Sequence, residues 1–304
     1  MTRRGPGTFV RRAGFAALMG LPVLPAMAQK LVVLASGDTP PYQAALGGIQ
    51  KLGLPTESLQ VNPDHDSALS GMLAKTGRDA VIVTLGAAAA TLASKAAPAV
   101  PVVNCMVLGH DSDESRLSGN VISVPLDIPV DTRLDWLKRL LPNARNVGIL
   151  FDPAQNDKRA ADGAAALKRA GFTPVLEPVS GPTALPNALN RLTNRVDVLY
   201  ALPDTTVYAR EHSRALLLFS FRHQIPLVGP TEAWVKAGAL YALDWDYGDL
   251  GRYCASLGLR QLAGGKAPMP APPRMRVVVN ARSAEQLRIK WDAETKTSFD
   301  KVYE

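Results

Sequence analysis

The residues best placed to do chemistry in this chain are short polar groups that follow apolar runs. Asp152 and Asn156 come after Val147–Phe151, Asp204 and Thr205 after Val196–Leu202, Thr231 and Glu232 after Ile225–Gly229, and Asp246 after Ala239–Leu243. In the first half Thr39 and Tyr42 follow the apolar run that ends near Ser36, and Gly86 and Ala87 follow Asp79–Leu85. Polar groups at the carboxyl ends of buried parallel strands are where open α/β sheets hold small ligands. The chemistry on offer is non-covalent. The Asp152-Pro-Ala-Gln-Asn156 step from strand to helix directs backbone N–H groups and a positive helix end near Asn156 and Asp157 at a carboxylate. Asp204 offers a charge-assisted bond to an ammonium, or else caps the helix after it. Thr231 and Glu232 repeat that layout and equally suit a cap on the short helix 233–236. Tyr42 is either an aromatic wall or a surface ring on the first helix. Asp246, with Asp244 beside it, binds ligand or holds a hinge by hydrogen bonds.

A catalytic constellation is not among these groups. The sequence contains no nucleophile elbow, no HExxH, no phosphate-binding glycine loop and no thiol near a histidine, so no catalytic residue and no cofactor is assigned. Asp64-His65-Asp66 and His110-Asp-Ser-Asp-Glu114 have metal-ligand types, but both read as solvated turns, and no metal site is assigned.

These groups must be positioned by alternating strands and helices. In the first half the pattern is strand 30–36, helix 41–52, a weak strand 58–61, helix 67–75, strand 79–85, helix 87–96 and strand 100–108. The second half repeats the order with strand 145–152, helix 158–170, strand 173–179, helix 184–194, strand 196–202, helix 207–223 and strand 225–229. Short apolar strands separated by helices indicate a parallel sheet with right-handed crossovers. Three strand-like segments, 119–127, 239–246 and 274–280, fit inside neither half and read as crossings between two lobes, with helix 247–263 returning to the first. The expected fold class is therefore α/β, two doubly wound parallel-sheet lobes joined by three crossing segments; a single large doubly wound sheet is the alternative. The expected division is residues 29–120 with 247–273 in the first lobe, and 121–246 with 274–304 in the second lobe and C-terminal segment. The length of 304 residues suits two such cores.

Residues 1–28 have the parts of an export signal: Arg3, Arg4, Arg11 and Arg12, an apolar stretch from Ala13 to Pro25, and Ala26-Met27-Ala28 before Gln29. The stretch is short of the ~20 residues that span a bilayer. The arrangement predicts a cleaved signal peptide and a periplasmic protein, with the general secretory and twin-arginine routes both open. Removing the signal leaves 30 basic against 27 acidic residues, a net +3, with no basic run that would bind nucleic acid. Cys105 and Cys254 are the two thiols, and an oxidising compartment allows either a bridge or two buried free cysteines.

Several strings carry a family resemblance. Leu141-Pro-Asn-Ala-Arg145 with Val147-Gly-Ile-Leu-Phe-Asp-Pro153, Val196-Asp-Val-Leu-Tyr200 with Pro203-Asp204, and Ile225-Pro226 appear in order. Val235-Lys-Ala-Gly-Ala239, Asp246-Tyr247, Leu250-Gly251, Gly264-Gly-Lys266 with Pro268, Val279-Asn280 and Ala284 continue the series. Over about Gly119 to Leu287 the chain resembles the ABC transporter substrate-binding proteins that include tryptophan binders. The resemblance implies a periplasmic binding protein type I-like fold and a monomer that traps a small-molecule ligand, such as an amino acid, by hinge closure. It implies ABC permease subunits in the inner membrane as partners. A ligand sensor that signals to a membrane partner is the alternative.

Overall fold

The computed structural model describes residues 29–62, 66–96, 98–108 and 117–304. The signal segment and the His110–Glu114 run lie outside the described residues, as do Asp64 and His65 of the other histidine-containing turn.

The first sheet is built from β1 (Lys30–Ala35), β2 (Thr56–Gln60), β3 (Ala80–Leu85), β4 (Val102–Val107), β5 (Leu117–Ser118) and β6 (Val121–Pro125), in the order β2-β1-β3-β4-β6-β5. All its pairs are parallel except β5 with β6. Helices α1 (Pro40–Gln50), α2 (Asp66–Ala74) and α3 (Ala87–Ala96) connect its strands. Alternate residues of β1 and β3 enter two separate cores. Leu31, Val33, Val81 and Val83 face one, and Val32, Leu34 and Ile82 the other, so both faces are covered and the strands read as continuous apolar runs.

The chain leaves this sheet after β6, past the expected division at 120/121, because Val121–Pro125 pairs with β4 of the first sheet. It continues through α4 (Val130–Leu140) into a second sheet of β7 (Asn146–Phe151), β8 (Thr173–Pro178), β9 (Val198–Tyr200), β10 (Leu227–Val228), β11 (Tyr241–Trp245), β12 (Met275–Asn280) and β13 (Lys301–Tyr303). The order is β13-β12-β11-β10-β9-β7-β8, antiparallel only between β11 and β12. Its helices are α5 (Pro153–Arg169), α6 (Leu185–Leu192), α7 (Ser213–His223), α8 (Glu232–Ala237), α10 (Ala281–Gln286) and α11 (Ala293–Lys296). The two sheets are separate, which answers the single-sheet alternative. Helix α7 starts at Ser213 rather than 207, because the N–H groups of Thr206 and Val207 turn back onto Asp204 instead of entering a helix.

Helix α9 (Tyr247–Leu262) returns to the first sheet and packs on α1, β3 and β4. Its small residues permit that approach: a Cβ on Gly251 would lie 2.2 Å from the Ala45 carbonyl oxygen, and one on Gly258 2.3 Å from Val81 Cγ1. Cys254 sits on this buried face and is bridged to Cys105 of β4, with their Cα atoms 6.2 Å apart. The crossings run side by side. Trp245 Nε1 donates to the Leu126 carbonyl at 2.7 Å, and the Asp246 N–H donates to the Arg274 carbonyl at 2.8 Å.

Candidate functional site

The carboxyl ends of β9, β10 and β11 converge on a cavity of about 290 Å³ beside the crossings. Val228, Leu243 and the rings of Tyr200, Tyr208, Trp234, Tyr241, Trp245 and Tyr247 form most of its wall. Its polar groups include Asp127, Arg133, Asp204, Thr205, Thr231 and Asp244. Tyr208 and Trp234 meet edge to face at 5.8 Å, which gives one wall a fixed aromatic shape.

Of the residues expected from sequence, Asp204, Thr205 and Thr231 line this cavity. Asp204 is held hard. Its Oδ1 accepts from the N–H groups of Thr206 (3.0 Å) and Val207 (2.8 Å), and its Oδ2 from the Asp152 N–H (2.7 Å) and Asn156 Nδ2 (2.8 Å). Four donors fill the acceptor sites of a carboxylate, so Asp204 fastens the β9 loop to the head of α5. Asp152 caps α5, accepting from the Ala154 N–H at 3.0 Å, and Asn156 is buried with a non-helical φ of −130° at a kink in α5. Neither Asp152 nor Asn156 is on the cavity wall. They act one step back, through Asp204, and the α5 end that was expected to receive a carboxylate is occupied by the chain's own acceptors.

Glu232 and Asp246 are also placed away from the wall. Glu232 accepts from Arg276 Nη2 (2.8 Å), Lys301 Nζ (2.5 Å) and the Tyr303 hydroxyl (2.7 Å), partners 44 to 71 residues away that no local reading of a helix cap reveals. Burial opposes its ionisation, but the Lys301 and Tyr303 hydrogen bonds and the Arg276 charge outweigh it and hold the carboxyl below its usual range. Asp246 caps α9, accepting from the Asp249 N–H at 3.0 Å. The first-lobe residues form a cluster of their own. Gly86 has φ +92°, and a Cβ there would lie 2.3 Å from the Tyr42 hydroxyl and 2.7 Å from Ser36 Oγ. Ser36 Oγ accepts from the Ala89 N–H at the head of α3, close to the exposed Ala87, while Thr39 stands at the start of α1 with no side-chain cap. None of Thr39, Tyr42, Gly86 or Ala87 lines the cavity.

Further groups face it: Asp244, named from sequence beside Asp246, and Arg133, Tyr200 and Tyr241, which were not singled out from sequence. Asp244 is 5% exposed and accepts from the N–H groups of Glu232 (2.8 Å) and Trp245 (2.9 Å). Desolvation raises its pKa, against the opposing pull of those N–H groups, the Tyr247 hydroxyl and Arg276. Arg133, from the first turns of α4, lies over the Tyr200 ring with its guanidinium carbon 5.8 Å from the centroid. Burial raises the phenols of Tyr200 and Tyr241, with Arg133 opposing in each case, so both stay protonated and able to donate. A buried carboxylate, and a guanidinium with phenols, on the wall of one aromatic cavity can hold a small zwitterion with an apolar body. Among the described residues no cluster of His, Cys, Asp and Glu could hold a metal ion.

Comparison with known proteins gives the same class. A profile of the ABC transporter substrate binding protein family matches residues 58–302. The tyrosine-binding protein of Clostridioides difficile is 24% identical over 213 residues, covering 68% of this chain and only 61% of that protein's length. Two solved structures share the fold at low identity. One is a ligand-free, open substrate binding protein with adhesive properties from Clostridium difficile, with TM-score 0.75 and 17% identity over 90% of this chain and 99% of that one. The other is an ABC domain in complex with L-Trp from Streptococcus pneumonia, with TM-score 0.65 and 20% identity over the same shares. The α/β architecture with parallel-sheet lobes is that of type I periplasmic binding proteins, and the chain belongs to the ABC transporter substrate binding protein family.

Proposed function

We propose that this substrate-binding protein takes up an amino acid, with an aromatic or similarly apolar side chain, in the cavity at the crossings, and delivers it to an ABC permease in the inner membrane. The observation that carries the reading is the pairing of a buried carboxylate, Asp244, with an arginine, Arg133, on the wall of one aromatic cavity. The tyrosine-binding relative and the L-Trp complex support an aromatic amino acid over a sugar. Asp204, Thr205 and Thr231 shape the wall, with Asp152 and Asn156 behind them. Closure about the crossings brings Thr39, Tyr42, Gly86 and Ala87 over the ligand from the first lobe. The lobes that close are 29–125 with 247–273, and 126–246 with 274–304. The ligand drives closure only to the extent that it binds the closed form more tightly. A micromolar Kd corresponds to about 8 kcal/mol, within reach of two charge-assisted bonds and the burial of one ring.

The protein works as a periplasmic monomer exported by a cleaved signal, without catalysis, cofactor or metal. Native mass spectrometry of protein purified from periplasm, followed by calorimetry with the twenty amino acids, tests the reading. A co-purified sugar, or heats of zero with every amino acid on ligand-stripped protein, would sink it.

A further inference from the structure

The cavity wall holds three buried polar atoms that the chain itself leaves unanswered, one of them the Tyr208 hydroxyl. Arg133 Nε and the Tyr241 hydroxyl are both buried without a hydrogen-bond partner, and both residues line the cavity. Tyr241 is only 1% exposed, so no bulk solvent reaches its hydroxyl. The ion pairs among the described residues leave Arg133 without a carboxylate, although Asp127, on the same wall, is paired with Arg159. Tyr200 stands beside both, with its ring under the guanidinium. A buried guanidinium nitrogen and a buried hydroxyl that both lack partners each cost free energy, and their juxtaposition in one cavity suits an anionic acceptor.

We infer that Arg133 and Tyr241, with Tyr200 beside them, receive the ligand's carboxylate, so that Arg133 rather than the head of α5 sets both the ligand's class and its orientation. The inference rests on the amino-acid reading for the ammonium end at Asp244, but the carboxylate end stands on its own atoms. A guanidinium presents N–H groups in a planar fork that matches a carboxylate, and a protonated phenol adds a donor to the same oxygen pair. With Asp244 and Arg133 both on second-sheet elements, the zwitterionic head is held by one lobe before closure.

The test uses tryptophan fluorescence and calorimetry on the full exported chain, with L-tyrosine and L-tryptophan, 3-(4-hydroxyphenyl)propionate, which lacks the ammonium, and tyramine, which lacks the carboxylate. The wild type is expected to bind an aromatic amino acid, to keep weaker binding of the propionate, and to bind tyramine least. Arg133→Gln should lose about 100-fold in affinity for the carboxylate probes, Arg133→Lys less, and Tyr241→Phe about 10-fold, with no effect of any of them on tyramine. Tyr241→Phe guards against misfolding: removing an unpartnered hydroxyl should leave the melting temperature unchanged or higher while affinity falls. Equal binding of the propionate and tyramine, unchanged affinity in Tyr241→Phe, or a wild type that binds no carboxylate probe would each overturn the assignment. Amino-acid binding that survives Arg133→Gln would overturn it and leave the proposed function standing. Arg133-dependent binding of the propionate without any amino-acid binding would uphold the assignment and remove the amino-acid reading.

Discussion

Removing the Cys105–Cys254 bridge should destabilise the first lobe specifically, by an amount that also reports whether the lobes unfold together. The bridge joins β4 to α9 across 149 residues, a span that encloses β7 to β11 of the second sheet. If both lobes unfold at once, the chain-entropy model gives about 5 kcal/mol for a loop of that length. If the second lobe stays folded, the crossings at Leu126 and Trp245 remain joined by their 2.7 Å hydrogen bond, and the flexible loop shrinks. It then consists of the segments between Cys105 and Leu126 and between Trp245 and Cys254, about 30 residues together, worth about 3.6 kcal/mol. Either figure is a large part of the ~5–15 kcal/mol typical of a domain. The four tryptophans, Trp136, Trp234, Trp245 and Trp291, lie in the second lobe or at the crossings, so their fluorescence reports that part while far-ultraviolet circular dichroism reports both lobes. Urea titration of oxidised, reduced and Cys105→Ala/Cys254→Ala protein should show the dichroism transition moving to lower urea with the fluorescence transition nearly fixed. Comparing oxidised with reduced wild type removes the small cavity that alanine leaves. A difference below about 1 kcal/mol in both signals would refute the reasoning; equal large shifts in both would mean the lobes unfold as one.

Three further outcomes follow from single contacts. Gly251→Ala places a Cβ 2.2 Å from the Ala45 carbonyl oxygen and must push α9 off α1, costing about 2–3 kcal/mol in denaturant titration; a loss under 0.5 kcal/mol would mean the helices separate freely. Asp204→Ala strands four donors at the β9 loop and the head of α5, so it should lower stability by about 3 kcal/mol as well as weaken ligand binding, whereas an Asp204 that only touched ligand would leave the melting temperature alone. The raised pKa of Asp244 gives two signs to check. Its folded value lies above the unfolded ~3.9, so its contribution to folding is most favourable below that value and is lost as pH rises through the folded value. Amino-acid affinity runs the other way, falling as acidification protonates Asp244, and calorimetry showing flat affinity across that window would exclude it as the ammonium acceptor.

How far the sequence spoke depended on whether a residue's partner is local. The central strands of both sheets were readable from largely apolar runs such as Ala80–Leu85 and Asn146–Phe151, because burial on two faces removes the polar alternation, whereas the edge strands β5 and β13 were not. The return of α9 was readable because its helical stretch directly follows the strand-like crossing at 239–246. Helix α4 was not assigned, although Val130, Leu134, Leu137 and Leu140 keep helical spacing between Pro129 and Leu141. Arg133 was lost with it. The caps Asp152 and Asp246 carried the right residue types at strand ends, yet a cap and a ligand group look alike until the acceptor's donors are known. Glu232 shows the same limit from the other side, since its three partners come from β12 and β13. Whether Cys105 and Cys254 pair was open in sequence because it depends on where α9 lands.

These placements together assign unequal tasks to the lobes. The second lobe and the crossings hold both charges of the candidate site, its tryptophans and a loop system fixed by Asp204, so under the proposed function the ligand's head would meet a rigid surface before any motion. The first lobe is stapled internally by its disulfide and by the close approach of α1 and α9, and its polar cluster of Ser36, Tyr42 and Gly86 is assembled without help from the second. Two internally fixed bodies that meet at three adjacent segments leave little freedom except rotation about those segments. Trp245 is where that rotation and the ligand meet: its ring lines the cavity, packs on core residues of both lobes, and ties one crossing to another through Leu126. Ligand contact at Trp245 is therefore mechanically connected to the hinge, which is how a solute of a few dozen atoms can bias the position of a whole lobe.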